Sequence, residues 1–291
     1  AVGAIRAGAE ASGKPLIAYV SPHAPHILDR LNRDGVPAFA APETCAAALR
    51  AALPAPAPRP ALPESGRLPE GLPSGTLNEV EARALFAAFG LTGAAGCMVQ
   101  TPAEAEVAAR DLGGPVALKL VSRAIAHKSD VGGVRLGLTP ETVGRALGDM
   151  AQGLAAQGLP APEGYLVQAM VTGGIETILG LRRDPQLGPL ILLGAGGVQA
   201  ELWGDSVIRM LPLAEGEAAE MVAELRLARL RAGWRGAPAH DIPALIAAIE
   251  GLARMAGALG DRPQEAEINP LFVLPEGQGV AAADALVVLA D

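Results

Sequence analysis

Lysine is rare in this chain, and two of its lysines lie close together before a pair of glycines. The chain has 23 basic residues, of which only Lys14, Lys119 and Lys128 are lysines. Lys119 lies in an apolar run, and the segment that begins at Lys128 ends in Gly132 and Gly133. An ammonium group on a strand, followed by small residues whose backbone N–H groups can approach phosphate oxygens, suits polyphosphate binding. The alternative is a lysine stem lying along apolar surface, followed by an ordinary glycine turn.

Oxygen ligands for a metal ion are concentrated near the end of the sequence. Glu267 and Asn269 alternate on a predicted strand, so their side chains share one face. A hairpin with the last strand would bring Asp284 beside them. Such hard oxygen ligands suit Mg²⁺ held jointly with substrate phosphates, whereas each carboxylate taken alone is typical of a solvated surface.

A third set of residues has the chemistry to contact a nucleoside. An apolar strand ends at Gln168, Ala169, Met170 and Val171, and the acid Glu176 follows, eight residues after Gln168. Backbone groups at a strand end can pair with a base edge, and a carboxylate can accept hydrogen bonds from ribose hydroxyls. The alternative for Glu176 is a solvated strand residue.

A second glycine-rich segment, Gly194–Gly197, lies after a predicted strand. It does not match the dinucleotide-binding fingerprint, because the sixth position is Gln199 rather than glycine or alanine. We interpret it either as part of the same nucleotide site or as a glycine turn between strands.

The composition limits the class of protein. Half of the 291 residues are hydrophobic and the net charge is −8, without a long basic run, which argues against nucleic-acid binding. The two cysteines have no C-x-x-C spacing, which favours a reducing, cytoplasmic location. We predict no membrane span and no signal peptide. Because the sequence begins within what reads as a domain already under way, we expect a fragment of a longer polypeptide.

The first 75 residues divide into two parts. Residues 1–52 read as two strand–helix units, with strands at 14–20 and 36–39, which predicts part of a parallel α/β sheet. Residues 53–75 contain seven prolines, which predicts a semi-rigid, extended linker.

The elements that must position the polar residues lie within 76–291, a mixed α+β region. Asn78–Glu81 and Thr101–Glu104 are capping boxes, which start helices. The strand that carries Lys119 is predicted to return as a hairpin at 134–138, followed by a helix that ends near Gly158. Residues 164–213 read as an antiparallel meander, which two helices follow, at about 215–232 and 241–259. The last predicted strands are at 266–274 and 280–289.

Taken in order, these segments resemble the NDP-forming acyl-CoA synthetases, relatives of succinyl-CoA synthetase. The matching segments are Pro115–Lys119, His127–Val134, Val167–Gln168 with Glu176, Asp184–Pro185 with Gly188–Pro189, Gly194–Gly197 with Glu201, Arg235–Gly236, and Glu267–Leu271 with Asp284. Residues 76–291 resemble the ATP-grasp module of that family. Residues 1–52 resemble the tail of the flavodoxin-like CoA-ligase domain that precedes the module in fused members.

The resemblance implies a fold and a reaction. The fold is two α+β subdomains that clasp ATP between antiparallel sheets. The reaction is acid + CoA + ATP ⇌ acyl-CoA + ADP + phosphate, through an acyl phosphate and a phosphohistidine. The implied partners are upstream CoA-binding and phosphohistidine domains of the same polypeptide, with CoA as a substrate of the full-length enzyme and a homo-oligomer as a possible assembly.

The resemblance also implies a role for each candidate residue. By this resemblance, Lys119 would hold the ATP phosphates and a loop at 127–133 would cover them. The loop includes Lys128, Ser129, Gly132 and Gly133. Along the adenine the resemblance places Gln168, Ala169, Met170 and Val171, with Glu176 at the ribose. On Mg²⁺ it places Asn269 and Asp284, with Glu267 close by. His127 is the implied phosphoryl relay, and neutral imidazole is a competent nucleophile towards an activated phosphate.

Two departures from the family pattern leave alternatives open. Ala169, or Gln168 if the register follows succinyl-CoA synthetase, stands where an acid is often found in the adenine strand, so the choice between ATP and GTP is unsettled. Leu187 stands where an aromatic is common. The alternatives to a synthetase are a ligand-sensing regulatory module of an acetyltransferase, an ATP-grasp ligase that joins a carboxylate to an amine, and a purely structural interaction module.

Overall fold

The computed structural model describes residues 2–12, 14–53, 59–63, 65–125, 128–197, 204–226 and 239–291. The chain separates into two compact units, Ala1–Pro58 and Arg59–Asp291. Each unit is described by itself.

The first unit is a small arrangement of helices beside two parallel strands. Its elements are α1 (Val2–Ser12), β1 (Ala18–Tyr19), α2 (Pro25–Arg33), β2 (Ala38–Phe39) and α3 (Pro42–Ala52). Strands β1 and β2 are parallel, as the strand–helix alternation predicts, but both are shorter than the apolar runs suggest. The sequence analysis did not identify α1. The small core contains Leu31, Val36 and Ala38.

The second unit contains two sheets and the helices that cover them. Its helices are α4 (Glu79–Ala87), α5 (Pro102–Leu112), α6 (Pro140–Ala156), α7 (Glu217–Glu224) and α8 (Ile242–Leu259). Its strands are β3 (Gly75–Thr76), β4 (Gly96–Val99), β5 (Val116–Val121), β6 (Val134–Leu138), β7 (Gly164–Ala169), β8 (Ile175–Asp184), β9 (Gly188–Ala195), β10 (Ser206–Met210), β11 (Pro263–Val273), β12 (Val280–Ala282) and β13 (Ala285–Leu289).

The small sheet has four antiparallel strands in the order β4–β7–β5–β6. Strands β5 and β6 form the predicted hairpin around Lys119. Helices α5 and α6 start at prolines that follow Thr101 and Thr139, and they pack apolar faces into one core with β5 and β7.

The large sheet has the order β10–β9–β8–β11–β13–β3, with β12 paired to β11. Helices α4, α7 and α8 contribute Phe86, Met221 and Leu252 to its core. Among the described residues, α8 is the helix whose length and composition would allow it to cross a membrane. Its apolar face is buried in this core, which accounts for its composition.

The predicted meander over 164–213 is wrong in one respect. Strands β8, β9 and β10 do form consecutive antiparallel pairs, but β7 lies in the small sheet between β4 and β5. The glycines Gly173 and Gly174 have φ angles of 74° and 92°. They therefore lie in the connection from β7 in the small sheet to β8 in the large sheet, and not in a turn within one sheet. The hydropathy pattern is the same for both kinds of connection, so the sequence could not distinguish them.

The predicted linker is only partly a linker. From Arg59 onward the described residues belong to the second unit: Leu62 N–H donates to the Leu213 carbonyl at 2.9 Å, and Arg59 pairs with Glu220 at 2.6 Å. Leu62, Leu68 and Leu72 contact the core of the large sheet. The leucines between the prolines give this segment apolar surface to bury, so it is held in place.

Candidate functional site

The first turn of α4 places a buried carboxylate between the two sheets. The capping box forms as predicted, because Asn78 Oδ1 accepts from Glu81 N–H and Glu81 Oε2 accepts from Asn78 N–H, both at 3.0 Å. Glu79, the residue between them, is buried and contacts both lysines of the motif. The sequence analysis missed Glu79, because a capping box already accounts for acidic residues in a first turn.

The two lysines meet two carboxylates, and we name Glu79, Lys119, Lys128 and Asp284 the lysine–carboxylate cluster. The Nζ atom of Lys119 lies 3.5 Å from Glu79 Oε1 and 3.3 Å from Asp284 Oδ1, and it donates to the Ala283 carbonyl. The Nζ atom of Lys128 pairs with Glu79 Oε2 and lies 3.8 Å from Asp284 Oδ1. Because the Lys119 side chain is only 6% exposed, its charge is directed into the protein, and the alternative of a solvent-seeking strand lysine is wrong.

The two acids of the cluster have different electrostatic properties. Burial raises the pKa of Glu79 to about 7, although the ammonium groups of Lys119 and Lys128 act in the opposite direction. Burial also opposes ionisation of Asp284, but the hydrogen bond with Glu79 and the two lysines hold its pKa below the ordinary value. Asp284 therefore stays ionised at neutral pH, which suits a residue that meets a cation.

Residues 128–133, directly before β6, form a turn that is closed by its glycines. Gly133 N–H donates to the Lys128 carbonyl at 2.7 Å, and Gly132 N–H donates to the Ser129 carbonyl at 3.1 Å. A Cβ atom on Gly133 would lie 2.8 Å from Leu120 Cγ and 2.9 Å from the Lys128 carbonyl oxygen. The N–H groups of Gly132 and Gly133 are therefore hydrogen-bonded within the turn that holds Lys128. The sequence had predicted that N–H groups of this segment bind phosphate oxygens.

Some residues named from the resemblance lie outside the described residues. They are His127, Glu201, Arg235 and Gly236. The phosphoryl-relay role of His127 stays a prediction from sequence.

A cleft of about 390 Å³ brings together the predicted metal ligands. Glu267 and Asn269 share one face of β11, as predicted, and Asn269 Nδ2 donates to Glu267 Oε1 at 3.0 Å. Asp284 follows β12 and lines the same cleft as Lys128. The break at 283–284, between β12 and β13, replaces the continuous strand predicted over 280–289.

The donor set fits Mg²⁺ that a ligand helps to hold. The Asn269 side-chain amide donates an N–H to Glu267. Its amide oxygen is therefore available as a metal ligand beside the Asp284 carboxylate. Among the residues that the structure describes, no group of three or more His, Cys, Asp and Glu side chains is arranged to hold a metal ion by itself. Mg²⁺ in phosphate sites commonly uses one or two carboxylates together with phosphate oxygens. Asp130, within the predicted covering loop, also lines the cleft, as does Glu265, which was not predicted.

The predicted adenine strand lies beside β12 at Gln168. This side chain is buried, its Nε2 lies 3.5 Å from the Ala282 carbonyl, and its Oε1 has no partner in the described part of the chain. Ala169 N–H donates to the Ala95 carbonyl at 2.8 Å, and Met170 N–H donates to the Pro115 carbonyl at 3.0 Å. These two amides are therefore paired within the protein.

Glu176 lies beside the second glycine-rich segment, separate from the lining of the cleft. It is exposed at the start of β8, and its carbonyl accepts from Gly196 N–H at 2.7 Å. A Cβ atom on Gly197 would lie 3.2 Å from Glu176 Oε2. The structure thus joins these two predicted features, but neither they nor Gln168, Ala169, Met170 and Val171 line the cleft that holds Asp284.

Comparison with known proteins identifies relatives of the second unit. Residues 71–289 match the model of the ATP-grasp domain family. The chain is 37% identical over 203 residues to an acetate–CoA ligase [ADP-forming] I of Archaeoglobus fulgidus, covering 69% of this chain and 29% of that protein. It is 33% identical over 214 residues to the acetate–CoA ligase [ADP-forming] II subunit beta of Pyrococcus furiosus, covering 72% of this chain and 90% of that subunit.

Solved structures of one enzyme are similar to the same part of the chain. They are of dinucleotide forming acetyl-coenzyme A synthetase 1 from Ca. Korarchaeum cryptofilum. The complex with coenzyme A, Ca-AMPCP and HgCl⁺ matches with a TM-score of 0.67 and 35% identity, covering 74% of this chain and 94% of that chain. The complex with coenzyme A and Mg-AMPPCP, whose phosphohistidine segment points towards the nucleotide binding site, matches with a TM-score of 0.61 and 34% identity, covering 74% and 93%.

Proposed function

Because the chain belongs to the ATP-grasp domain family, within the NDP-forming acyl-CoA synthetases, we propose that it binds the nucleotide in the reaction acid + CoA + ATP ⇌ acyl-CoA + ADP + phosphate. The observation that carries this proposal is the lysine–carboxylate cluster at the edge of a cleft that also contains Glu267 and Asn269. Two ammonium groups and a set of oxygen ligands are the groups that a metal-bound triphosphate requires.

Each side chain of the cluster would contribute in a different way. Lys119 and Lys128 would bind phosphate oxygens and balance their charge. Asp284 and Asn269 would hold Mg²⁺, with Glu267 keeping the Asn269 amide oriented through the 3.0 Å hydrogen bond. When bound, Mg²⁺ would neutralise phosphate charge and make the terminal phosphate more electrophilic.

The remaining nucleotide contacts follow from the family pattern. Gln168 offers a buried amide oxygen without a partner among the described residues, at the end of the strand proposed to line the base. Ala169, Met170 and Val171 would line the base beyond it. Glu176 would accept hydrogen bonds from the ribose, and His127 would take the phosphoryl group from ATP.

The complete reaction would need domains that bind CoA and carry the main phosphohistidine. The chain spans 29% of the Archaeoglobus ligase but 90% of the separate Pyrococcus beta subunit. This supports a division of labour, in which the second unit serves as the nucleotide-binding part and other domains complete the synthesis.

Thermal denaturation and product analysis test this proposal together. ATP with Mg²⁺ should raise the Tm of the purified chain progressively, since a ligand that binds the folded state stabilises it by mass action. The same preparation, incubated with ATP, CoA and acetate, should form no acyl-CoA. A Tm that does not respond to ATP contradicts the nucleotide site, and acyl-CoA formed by the chain alone contradicts the division of labour.

A further inference from the structure

Glu79 is a buried ionisable residue to which the proposed function gives no role. Its side chain has no exposed surface, whereas the side chain of Asp284 is 43% exposed. A carboxylate without exposed surface cannot reach a nucleotide or a metal ion. Asp284, by contrast, lines the cleft. The two carboxylates of the cluster therefore cannot perform the same task.

The two oxygens of Glu79 serve different lysines. Oε1 lies 3.5 Å from the Nζ atom of Lys119, and Oε2 accepts from the Nζ atom of Lys128. One carboxylate thus bridges two ammonium groups whose like charges repel each other. This bridge sets how far apart the ammonium groups lie, and the ionised form of Glu79 supplies one of the two negative charges that balance them.

The start of α4 fixes the position of Glu79 itself. The residues on either side of it form the capping box, and both are bound to the small sheet. Asn78 Nδ2 donates to Glu163 Oε2 at 2.8 Å, and Glu81 pairs with Arg123. Because the backbone is held on both sides and the side chain is buried, the carboxylate is preorganised for the two lysines.

We propose that Glu79 is a positioning residue of the phosphate site: it holds the ammonium groups of Lys119 and Lys128 in the arrangement that receives phosphate oxygens. Asp284, which lines the cleft, would also hold Mg²⁺ and would then be less available to the lysines. Glu79 then remains as the carboxylate that keeps the two lysines together. This inference rests on the proposed function, because it concerns the lysines assigned to phosphate.

The test compares Glu79→Gln with Glu141→Gln. In Glu79→Gln, one oxygen becomes an amide nitrogen that faces an ammonium group, and two donors cannot form a hydrogen bond. Glu141→Gln makes the same chemical change in the first turn of another helix, α6, where the side chain is exposed. Calorimetry with ATP and Mg²⁺ and NMR titration with adenosine give the dissociation constants.

We expect Glu79→Gln to weaken ATP binding about tenfold or more, and adenosine binding less than about twofold, because adenosine has no phosphate for the lysines. A purely structural role for Glu79 would weaken both ligands alike. Glu141→Gln should leave both dissociation constants unchanged. If Glu79→Gln does not fold, Glu79→Asp replaces it under the same criteria, because it keeps the charge but shortens the bridge.

Three outcomes overturn the inference. Unchanged ATP binding, or an equal loss of ATP and adenosine binding, shows that Glu79 does not position the lysines. An ATP-selective loss in Glu141→Gln shows that the effect comes from removing any acidic charge at a helix start rather than from the bridge. If the unaltered chain does not bind ATP, the proposed function itself is contradicted. That result is seen without any variant, so it is distinguishable from a failure of the inference about Glu79.

Discussion

Lys119→Met tests whether the lysine–carboxylate cluster is a balanced set of charges. Methionine keeps the unbranched shape of the stem but removes the ammonium group. The Lys119 side chain is only 6% exposed, and its partners Glu79 and Asp284 would be left with Lys128 alone. Leaving a buried charge without compensation typically costs about 3 kcal/mol or more. We therefore expect a loss of about 3 kcal/mol in the free energy of unfolding at about pH 8.

The loss should be smaller at lower pH. The folded-state pKa of Glu79 is already raised from 4.5 to about 7. A carboxylate with a raised pKa contributes most stability below its unfolded pKa, and that contribution is lost as pH rises through the folded pKa. Removing Lys119 raises this pKa further, so the variant continues to lose stability above pH 7. A rise of one pKa unit corresponds to about 1.4 kcal/mol, so the loss at about pH 6 should be roughly 1 kcal/mol smaller than at pH 8.

Thermal unfolding followed by circular dichroism, without nucleotide and Mg²⁺, measures this effect. For a unit of this size 1 kcal/mol shifts Tm by about 2–4 °C, so Lys119→Met should unfold roughly 6–12 °C earlier at about pH 8. Lys14→Met is the matched control, because Lys14 is exposed and its substitution should change stability by less than about 0.5 kcal/mol. A loss below about 1 kcal/mol at pH 8, or an equal loss at both pH values, would refute the reasoning.

Three further predictions concern the surroundings of the cluster. Gly133→Ala should lower the free energy of unfolding by about 1–3 kcal/mol, because the added Cβ would lie 2.8 Å from Leu120 Cγ; an unchanged urea midpoint contradicts this. Asp284→Asn should remove most of the Mg²⁺-dependent gain in ATP affinity while the Mg²⁺-free affinity stays similar, and calorimetry at both conditions decides it. His127→Gln should keep ATP binding and prevent phosphoryl transfer from [γ-³²P]ATP to the protein; a variant that loses binding instead argues for a role in ordering the site.

Much of the site was predictable because it depends on local patterns. Alternation places Glu267 and Asn269 on one face of a strand, and the hairpin after Lys119 follows from an apolar run and a glycine turn. The cleft that joins Asn269 and Asp284 is the expected result of strands that return antiparallel to each other. These inferences need only the periods of regular structure.

Other features could not be predicted, because they depend on contacts between distant parts of the chain. Glu79 lies 40 residues before Lys119, and Asp284 lies 165 residues after it. Nothing in the local sequence distinguishes a buried acid in a capping turn from an exposed one. One signal was present: a lysine in an apolar run, such as Lys119, indicates that a compensating carboxylate lies nearby, although it does not say where along the chain that carboxylate is. Likewise, the exit of β7 into a separate sheet depends on tertiary pairing.

Calorimetric titration of ATP into the chain, with and without Mg²⁺ and with GTP in parallel, tests the central claim most directly. We expect one site for a nucleoside triphosphate, whose affinity rises markedly when Mg²⁺ is present because Asp284 and Asn269 would share the ion with the phosphates. A folded chain that binds neither nucleotide under either condition would contradict it.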